Sequence, residues 1–120
     1  MSPLLAGAVL GGIGVVAGAF GAHALKSTLA PEKLAVFEVG VRYQMFHALA
    51  LLAVGLLLRQ TDTALLRNAG LAFLGGTVVF SGSLYALAFG APSWLGAVTP
   101  LGGAALIAGW ILLALGVRGS

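Results

Sequence analysis

The chain contains no cysteine, and only 8% of its 120 residues are charged. Without thiols, disulfide bonds and thiolate-held metal sites are excluded, and the sequence gives no indication of the redox compartment. A soluble domain carries about a quarter charged residues, so six basic and three acidic side chains cannot solvate a soluble surface of this size. We therefore expect lipid to be the solvent for most of the protein.

Acidic residues are especially scarce, since Glu32, Glu38 and Asp62 are the three in the chain and all lie outside the most apolar runs. The resulting pI of about 10.0 is typical of nucleic-acid-binding proteins. It arises here from a few scattered charges, however, and no basic stripe is interleaved with aromatic residues. The sequence therefore predicts no nucleic-acid partner.

Hydrophobic residues make up 60% of the chain and are concentrated in four runs. A membrane-spanning helix needs roughly 20 apolar residues at a rise of about 1.5 Å each. The sequence predicts four such helices, at about residues 3–25, 41–58, 69–89 and 98–117. Short connections favour an up-down bundle in which residues 1–120 form one all-α integral membrane domain.

The longest connection, residues 26–40, carries a short amphipathic segment whose apolar side chains recur at helical spacing at Leu34, Phe37 and Val41. This segment is either an interfacial helix or an extension of the second span. A straight helix over residues 31–58 would be roughly 42 Å long, longer than a hydrocarbon core of about 30 Å. We therefore expect a bend near Gly40. Residues 59–68 form a polar connection and residues 90–94 a tight turn.

Basic residues are divided evenly between the two ends of the bundle, so the positive-inside rule scarcely orients it. In an up-down bundle, Arg59, Arg67 and Arg118 lie on the side of the termini, whereas Lys26, Lys33 and Arg42 lie opposite. If Arg42 is drawn into the bundle, the side of the termini is favoured as cytoplasmic. We therefore expect both termini on the cytoplasmic side.

Glycines recur at spacings of three and four in the first span, and at a spacing of seven in the fourth, at positions Gly7, Gly11, Gly14, Gly18 and Gly21, then Gly102, Gly109 and Gly116. Each set falls on one helix face. Such a stripe is either a groove for a ligand or a surface for close helix packing. Packing is favoured, because small residues drive helix association in lipid. We expect the two stripes to face each other.

Polar residues within the spans fall at similar depth, in the leaflet on the side of the 26–40 connection, at His23, Arg42, Tyr43, Gln44, His47, Ser81, Ser83, Tyr85 and Thr99. Unpaired polar groups in hydrocarbon cost several kcal/mol each, so they are expected to turn inward and meet. We predict that His23 approaches His47 and that the cluster links the helices. Arg42 is the member that can instead extend its long stem to the headgroups.

Four interpretations of this cluster remain open: a haem or metal site built on the two histidines, a proton relay, a pocket for a lipid headgroup or quinone-like ring, or a structural hydrogen-bond network. The structural network is favoured over any ligand role. No metal site is predicted, because no histidine pair has ligand spacing and no carboxylate lies deep in a span. Nor is a catalytic motif or a bound cofactor predicted.

Four ordered blocks carry a family resemblance: GAFGAHAL at residues 18–25, RYQMFHAL at 42–49, FSGSLY at 80–85 and TPLGG at 99–103. Together they resemble domain-of-unknown-function family 423, the YgdD-like bacterial inner-membrane proteins with small eukaryotic transmembrane relatives. One departure is Phe46, where this family more often has tyrosine. The resemblance implies a small multi-helix protein of the bacterial inner membrane and supplies no established activity.

Three functions are consistent with the sequence. The favoured one is a non-enzymatic binding or scaffolding component, or an accessory subunit, in contact with membrane lipids and with a second copy or another membrane protein. The second is a small transporter, channel or proton-conducting protein that uses the histidine, tyrosine and arginine side chains. The third is a redox protein that binds haem or a quinone.

Overall fold

The computed structural model describes residues 2–119, which fold into four long helices. We name these helices α1 (Pro3–Leu25), α2 (Pro31–Gln60), α3 (Ala64–Ala88) and α4 (Thr99–Val117), the last preceded by a short 3₁₀ segment, Ser93–Ala97. All four are long and apolar enough to cross a membrane when this segment is counted with α4, and no strand occurs among residues 2–119. The predicted all-α, four-helix membrane fold is confirmed.

Two of the helices, α1 and α3, begin next to a side-chain cap. Ser2 accepts a hydrogen bond from the backbone N–H of Leu5 at 3.1 Å, and Thr63 accepts one from Leu66 at 3.3 Å. Because Thr63 caps α3, that helix begins at Ala64 and the connection from Gln60 is only three residues long. The polar connection predicted at residues 59–68 is thus mostly helical.

The amphipathic segment is the first part of α2, not a separate interfacial helix, because α2 runs without interruption from Pro31 to Gln60. The helix is not interrupted at Gly40, where a bend was expected. Gly40 instead permits close approach, since a Cβ there would lie 2.7 Å from the ring of Tyr85. At about 1.5 Å per residue, α2 is roughly 45 Å long, similar to the 48 Å longest dimension of the protein.

The first helix contains one wider stretch, because Val16–Gly21 is π-helical between the α-helical parts Pro3–Val15 and Ala22–Leu25. The N–H of Ala22 donates to the carbonyl of Ala17, five residues back. Such π-helical insertions locally rearrange the side chains along a helix. No residue of Val16–Gly21 is fully buried, and Gly18 and Gly21 are the residues of this stretch that face α2.

The glycines of α1 pack against α2. A Cβ on Gly7 would lie 2.7 Å from the carbonyl oxygen of Ala48, and one on Gly18 would lie 3.0 Å from Val41. Gly14 lies against Met45, farther along the same antiparallel pair. The absence of side chains thus lets the two backbones approach closely, as small residues do between membrane helices.

The glycines of α4 pack against α3, also antiparallel, with Gly102 against Phe80, Gly109 against Phe73 and Gly116 against Leu66. The expectation that the two glycine stripes face each other is therefore wrong. Each stripe packs against the helix next to its own in sequence. In the part of the chain described here, α1 and α4 are not packed against each other. The bundle is a series of three antiparallel pairs, α1–α2, α2–α3 and α3–α4, which places residues 2 and 119 at the same end.

The buried core lies where these pairs meet, and consists of small and aliphatic residues around one aromatic ring. Phe73 and Val54 are fully buried there, with Leu51 nearly so. At the other end of α3, the Lys33 ammonium group donates to the carbonyl oxygen of Leu87 at 3.2 Å. A cation at this helix C-terminus also interacts favourably with the helix dipole.

Candidate functional site

The polar side chains that meet in the bundle lie near its centre, because Gln44 and His47 are close to the midpoint of Pro31–Gln60. Both are buried, with exposed fractions of 3% and 4%. A second span beginning at Val41 would place them in its first turns, whereas α2 begins ten residues earlier.

Gln44 connects three helices through its amide group. Its nitrogen donates to the carbonyl oxygen of Leu10 in α1 at 2.8 Å, and its oxygen accepts the hydroxyl proton of Tyr85 in α3 at 2.6 Å. Both ends of the amide are therefore satisfied, as buried polar groups require. The Gln44 side chain ties the first, second and third helices together at one level.

His47 connects α2 to α4. Its Nε2 atom lies 3.0 Å from the indole nitrogen of Trp110, and its Nδ1 atom lies 2.7 Å from the carbonyl oxygen of Tyr43 one turn earlier. An indole N–H only donates and a carbonyl only accepts. Nε2 must therefore be the acceptor and Nδ1 must carry the proton, which makes the His47 ring neutral in this arrangement.

Aromatic rings surround His47 on several sides. Phe73 lies 5.6 Å from the His47 ring centroid and 5.0 Å from that of Trp110, while Tyr43 lies 4.8 Å from Phe80. A cavity of about 330 Å³ opens beside these rings between α2 and α4, with Gly103, Leu106 and Ile107 on its α4 wall. We call it the aromatic cleft. It combines stacking surfaces with the His47–Trp110 hydrogen bond.

Three hydroxyl groups of the predicted cluster form helix-to-helix contacts nearer the 26–40 connection. Ser81 donates to the carbonyl oxygen of Gly40 at 2.7 Å. Ser83 donates to the carbonyl oxygen of Phe80 at 2.9 Å and lies 2.6 Å from the hydroxyl of Thr99. Since the one Ser83 proton is committed to Phe80, Thr99 is the donor to Ser83. These bonds join α2 to α3 and α3 to α4.

Two predicted members do not join the cluster. His23 is exposed in the last turn of α1 and makes no side-chain hydrogen bond among the described residues. The predicted approach of His23 to His47 is therefore wrong, because the inward face of α1 at this end is occupied by Gly18 and Gly21 instead. Arg42 is also exposed.

Arg42 lies on the outer face of α2 together with Glu38, one turn earlier. Both side chains are exposed. The one ion pair within residues 2–119 joins Asp62, in the α2–α3 connection, to Arg67 of α3. Arg42 is roughly 16 Å along the helix axis from Pro31. A charged side chain that lies within the hydrocarbon requires a partner or a route to water.

Sequence reasoning missed Trp110, the donor to His47. Tryptophan is concentrated at membrane interfaces, so an indole in the middle of the apolar fourth run was itself a signal.

Sequence reasoning also missed Thr77, which is 2% exposed. Its hydroxyl is the one buried side-chain polar atom without a hydrogen-bond partner in the described chain. Thr77 lies one turn from Phe73 and one turn from Ser81 on α3.

A second cavity, of about 420 Å³, lies at the end of the bundle that carries the termini. Its walls are mainly apolar, with Ala6 of α1, Leu51 of α2 and Leu74 of α3 among them. The Arg67–Asp62 ion pair lines it as well. Such an apolar recess with a polar rim is suited to a lipid acyl chain.

The central groups are arranged for structure more than for proton transfer. Both ring nitrogens of His47 and both ends of the Gln44 amide are already bonded within the protein. No group of three or more histidine, cysteine, aspartate or glutamate side chains able to hold a metal ion occurs among residues 2–119.

The fold and these polar links define a small, four-helix integral membrane protein. A family model described as "Protein of unknown function (DUF423)" matches residues 17–103, and the chain belongs to this family. The match contains Gln44, His47 and Tyr85, whereas Leu10 and Trp110, which bond to Gln44 and His47, lie outside it. The resemblance found in the sequence is confirmed.

Curated relatives carry membrane-protein names and match nearly the whole chain. The UPF0382 membrane protein SSP2132 of Staphylococcus saprophyticus is 42% identical over 113 residues, which cover 94% of this chain and 93% of the relative. YwdK of Bacillus subtilis is 41% identical, covering 92% and 90%. The inner membrane protein YgdD of Escherichia coli is 37% identical, covering 94% and 86%. No solved structure matches the chain.

Proposed function

We propose that this protein is a non-enzymatic binding or scaffolding component of the bacterial inner membrane. The observation that carries the proposal is the exposed position of Arg42, beside exposed Glu38, on an otherwise apolar face of α2. Ionisable groups within membrane spans are costly and generally mark functional contacts. A protein partner that supplies complementary charge would remove this cost.

The interior of the bundle supports the same proposal, because its polar groups are already used to hold the helices together. Gln44 binds two helices and His47 binds a third, so neither presents a free group to a substrate. Glu38 and Arg42 are exposed charged groups of α2 that lie away from both ends of the helix. Binding to another membrane protein is the activity that such a distribution favours.

The test is the size of the assembly in native membrane particles extracted with styrene–maleic acid. We expect the wild-type protein to be part of an assembly larger than its own 12.0 kDa. Replacing Glu38 and Arg42 together by leucine should release it as a stable monomer, because the charges are then no longer exposed to lipid. Arg59→Leu, at the exposed end of α2, is the matched control and should keep the larger size. A monomeric wild type would refute the proposal.

A transporter or channel function has less support from the geometry. A conducting path needs polar groups along its whole length, whereas the central polar groups end in bonds between helices. The half of the core nearer the chain termini is formed by apolar side chains such as Val54, Ala69 and Leu51. An assembly of several copies would be needed to enclose a pore.

Binding of a flat, lipid-soluble ring is the second candidate function, and the aromatic cleft favours it. Its volume of about 330 Å³ is within the range of small-ligand sites. Tyr43 lines it, and the hydroxyl of Tyr43 has no hydrogen-bond partner in the described structure. A quinone carbonyl next to that hydroxyl would accept its proton. Haem is less favoured, since Trp110 occupies the Nε2 atom of His47.

Tryptophan fluorescence can test this second candidate, because the chain has only two tryptophans. Trp94→Phe leaves Trp110, which lines the cleft, as the single reporter. Titration in lipid vesicles with a benzoquinone bearing a ten-carbon tail should give saturable quenching that Tyr43→Phe weakens. Quenching that rises linearly and is equal in both variants would indicate collisions in the bilayer and would exclude the site.

For orientation, we propose that both termini are cytoplasmic. Arg59, Arg67 and Arg118 lie at that end of the bundle. At the other end, Arg42 lies well inside α2, which leaves Lys26 and Lys33 as the basic residues next to the headgroups. The positive-inside rule then favours the end with three arginines. Reporter fusions at residue 120 that are fluorescent in the cytoplasm and inactive in the periplasm would support this orientation, and the reverse pattern would refute it.

A further inference from the structure

The outer face of α2 is an unpartnered stripe that runs along most of the helix. Exposed residues recur on it at intervals of three and four, from Glu38 through Arg42, Phe46, Leu49, Ala53 and Leu56. This spacing matches the seam of two parallel helices that supercoil around each other. We call this stripe the outer face of α2.

We propose that the outer face of α2 binds the same face of a second copy of this protein, in a parallel homodimer held by two reciprocal Glu38–Arg42 ion pairs. This inference rests on the proposed scaffolding function, whose partner it identifies. Two copies inserted in the same orientation place their α2 helices parallel, about a twofold axis along the membrane normal. Such an interface is isologous, so each contact occurs twice.

Charge complementarity favours a second copy as the occupant. Glu38 and Arg42 are four residues apart, and therefore differ in depth by roughly 6 Å, one helical turn. An arginine side chain spans this distance, so Arg42 of each copy can reach Glu38 of the other. Together the two copies contribute two positive and two negative charges, and the interface is neutral without any other partner.

Lipid is a weaker candidate for this surface. A phosphate headgroup can satisfy Arg42, if its side chain extends towards the interface. The same headgroup repels Glu38, which lies one turn nearer that interface on the same helix. The apolar residues of the stripe do not favour association by burial, because lipid is as apolar as leucine. The ion pairs therefore determine whether and how the two helices bind.

The decisive test uses two charge-reversed forms that carry different affinity tags. Glu38→Arg gives a face with two positive charges, and Arg42→Glu gives a face with two negative charges. Each form alone should be monomeric, since like charges meet at its interface. When the two forms are produced together, both ion pairs are restored between unlike copies, so at least a tenfold enrichment of the mixed dimer over same-tag pairs is expected.

This mixed pairing separates intermolecular bonds from a bond within one helix. A Glu38–Arg42 contact inside one copy is destroyed in both reversed forms, and mixing them cannot restore it. Lipid binding also predicts no effect of mixing. Failure of the two forms to associate, while each remains folded by circular dichroism, would overturn the homodimer.

Cysteine cross-linking gives an independent readout of the geometry, since the chain has no native cysteine. Leu49→Cys and Ala53→Cys lie on the outer face of α2, where oxidation in native membranes should form disulfide dimers. Ile13→Cys, on the exposed side of α1, is the matched control and should remain monomeric. A disulfide requires Cα atoms within about 7 Å, so equal cross-linking at all three positions would indicate random collision and refute this interface.

The outcomes also separate this inference from the proposed function. If the double leucine variant releases the protein from a larger assembly but the reversed forms do not pair, the scaffolding function stands and the homodimer is excluded. If the wild type is already monomeric in native membrane particles, the scaffolding function and the homodimer are both refuted.

Discussion

Trp110 donates its indole N–H to Nε2 of His47 at 3.0 Å, and this bond crosses the aromatic cleft from α4 to α2. The backbone of α4 packs against α3, while α2 and α4 are held apart by the rings between them. The bond is a direct link between these two helices near the centre of the bundle. It also selects the Nδ1-protonated form of His47.

Removing this donor should weaken the bundle. Trp110→Phe keeps an aromatic ring in the cleft and leaves Nε2 of His47 without its partner. Hydrogen bonds between membrane helices contribute about 0.6 kcal/mol on average and up to about 1.7 kcal/mol, so a loss near the upper value is expected. The measurement is the free energy of unfolding in detergent, followed by circular dichroism.

Trp94→Phe is the matched control for this change, because Trp94 is 67% exposed in the 3₁₀ segment. It should leave the free energy of unfolding unchanged. Equal stability of the two variants would show that the His47–Trp110 bond contributes nothing measurable to the fold.

The Tyr85–Gln44 hydrogen bond should be visible as an energetic coupling between α3 and α2. Its 2.6 Å distance and partial burial predict a coupling of about 1 kcal/mol in a double-mutant cycle of Tyr85→Phe and Gln44→Leu. Tyr43→Phe with Gln44→Leu is the control cycle, since the Tyr43 hydroxyl does not bond to Gln44. Additive effects in the Tyr85 cycle would contradict the bond.

The fold could be predicted because apolar run length and the lack of charge leave few alternatives to four membrane helices. Pro3 and Thr99 are the first residues of α1 and α4, close to the starts of the predicted spans. The grouping of Gln44, Tyr85 and Ser81 near the α2–α3 contact also follows from antiparallel helices and the cost of unpaired polar groups in lipid.

Other features depend on the rotation of each helix about its axis and on which helices pack together, and hydropathy encodes neither. His23 was assigned to the cluster by its depth, but the inner face of α1 at that end is formed by Gly18 and Gly21. Trp110 is surrounded by apolar residues, and only its neighbour across the cleft reveals its role. The sequence left open whether the amphipathic segment continues the second helix, and it did not reveal that Gly40 provides room for Tyr85.

The glycines of α1 should tolerate large side chains only where they face away from α2. Gly14→Leu would collide with Met45, whereas a Cβ at Gly12 meets no atom within 4 Å. Overpacking costs about 1–3 kcal/mol, so Gly14→Leu should lower the unfolding temperature in detergent. Gly12→Leu should leave it unchanged. Equal melting of both variants with the wild type would mean that Gly14 does not face α2.

Thr77 and Ser81 lie one turn apart on α3, and substitution of their hydroxyls should change stability in opposite directions. Both side chains are almost fully buried, at 2% and 0% exposure. The Thr77 hydroxyl has no partner in the described part of the chain, whereas Ser81 donates to the carbonyl oxygen of Gly40. A buried polar group without a partner costs about 1–3 kcal/mol.

Thr77→Val keeps the shape of the side chain and removes this cost, so it should raise the free energy of unfolding by about 1 kcal/mol. Ser81→Ala removes a bond between α3 and α2 and should lower it by about 0.6 to 1.7 kcal/mol. The two variants are compared in the same detergent by chemical unfolding. If Thr77→Val is destabilising by as much as Ser81→Ala, the Thr77 hydroxyl has a bonding partner in the folded protein, and the buried surface of α3 is more polar than its contacts indicate.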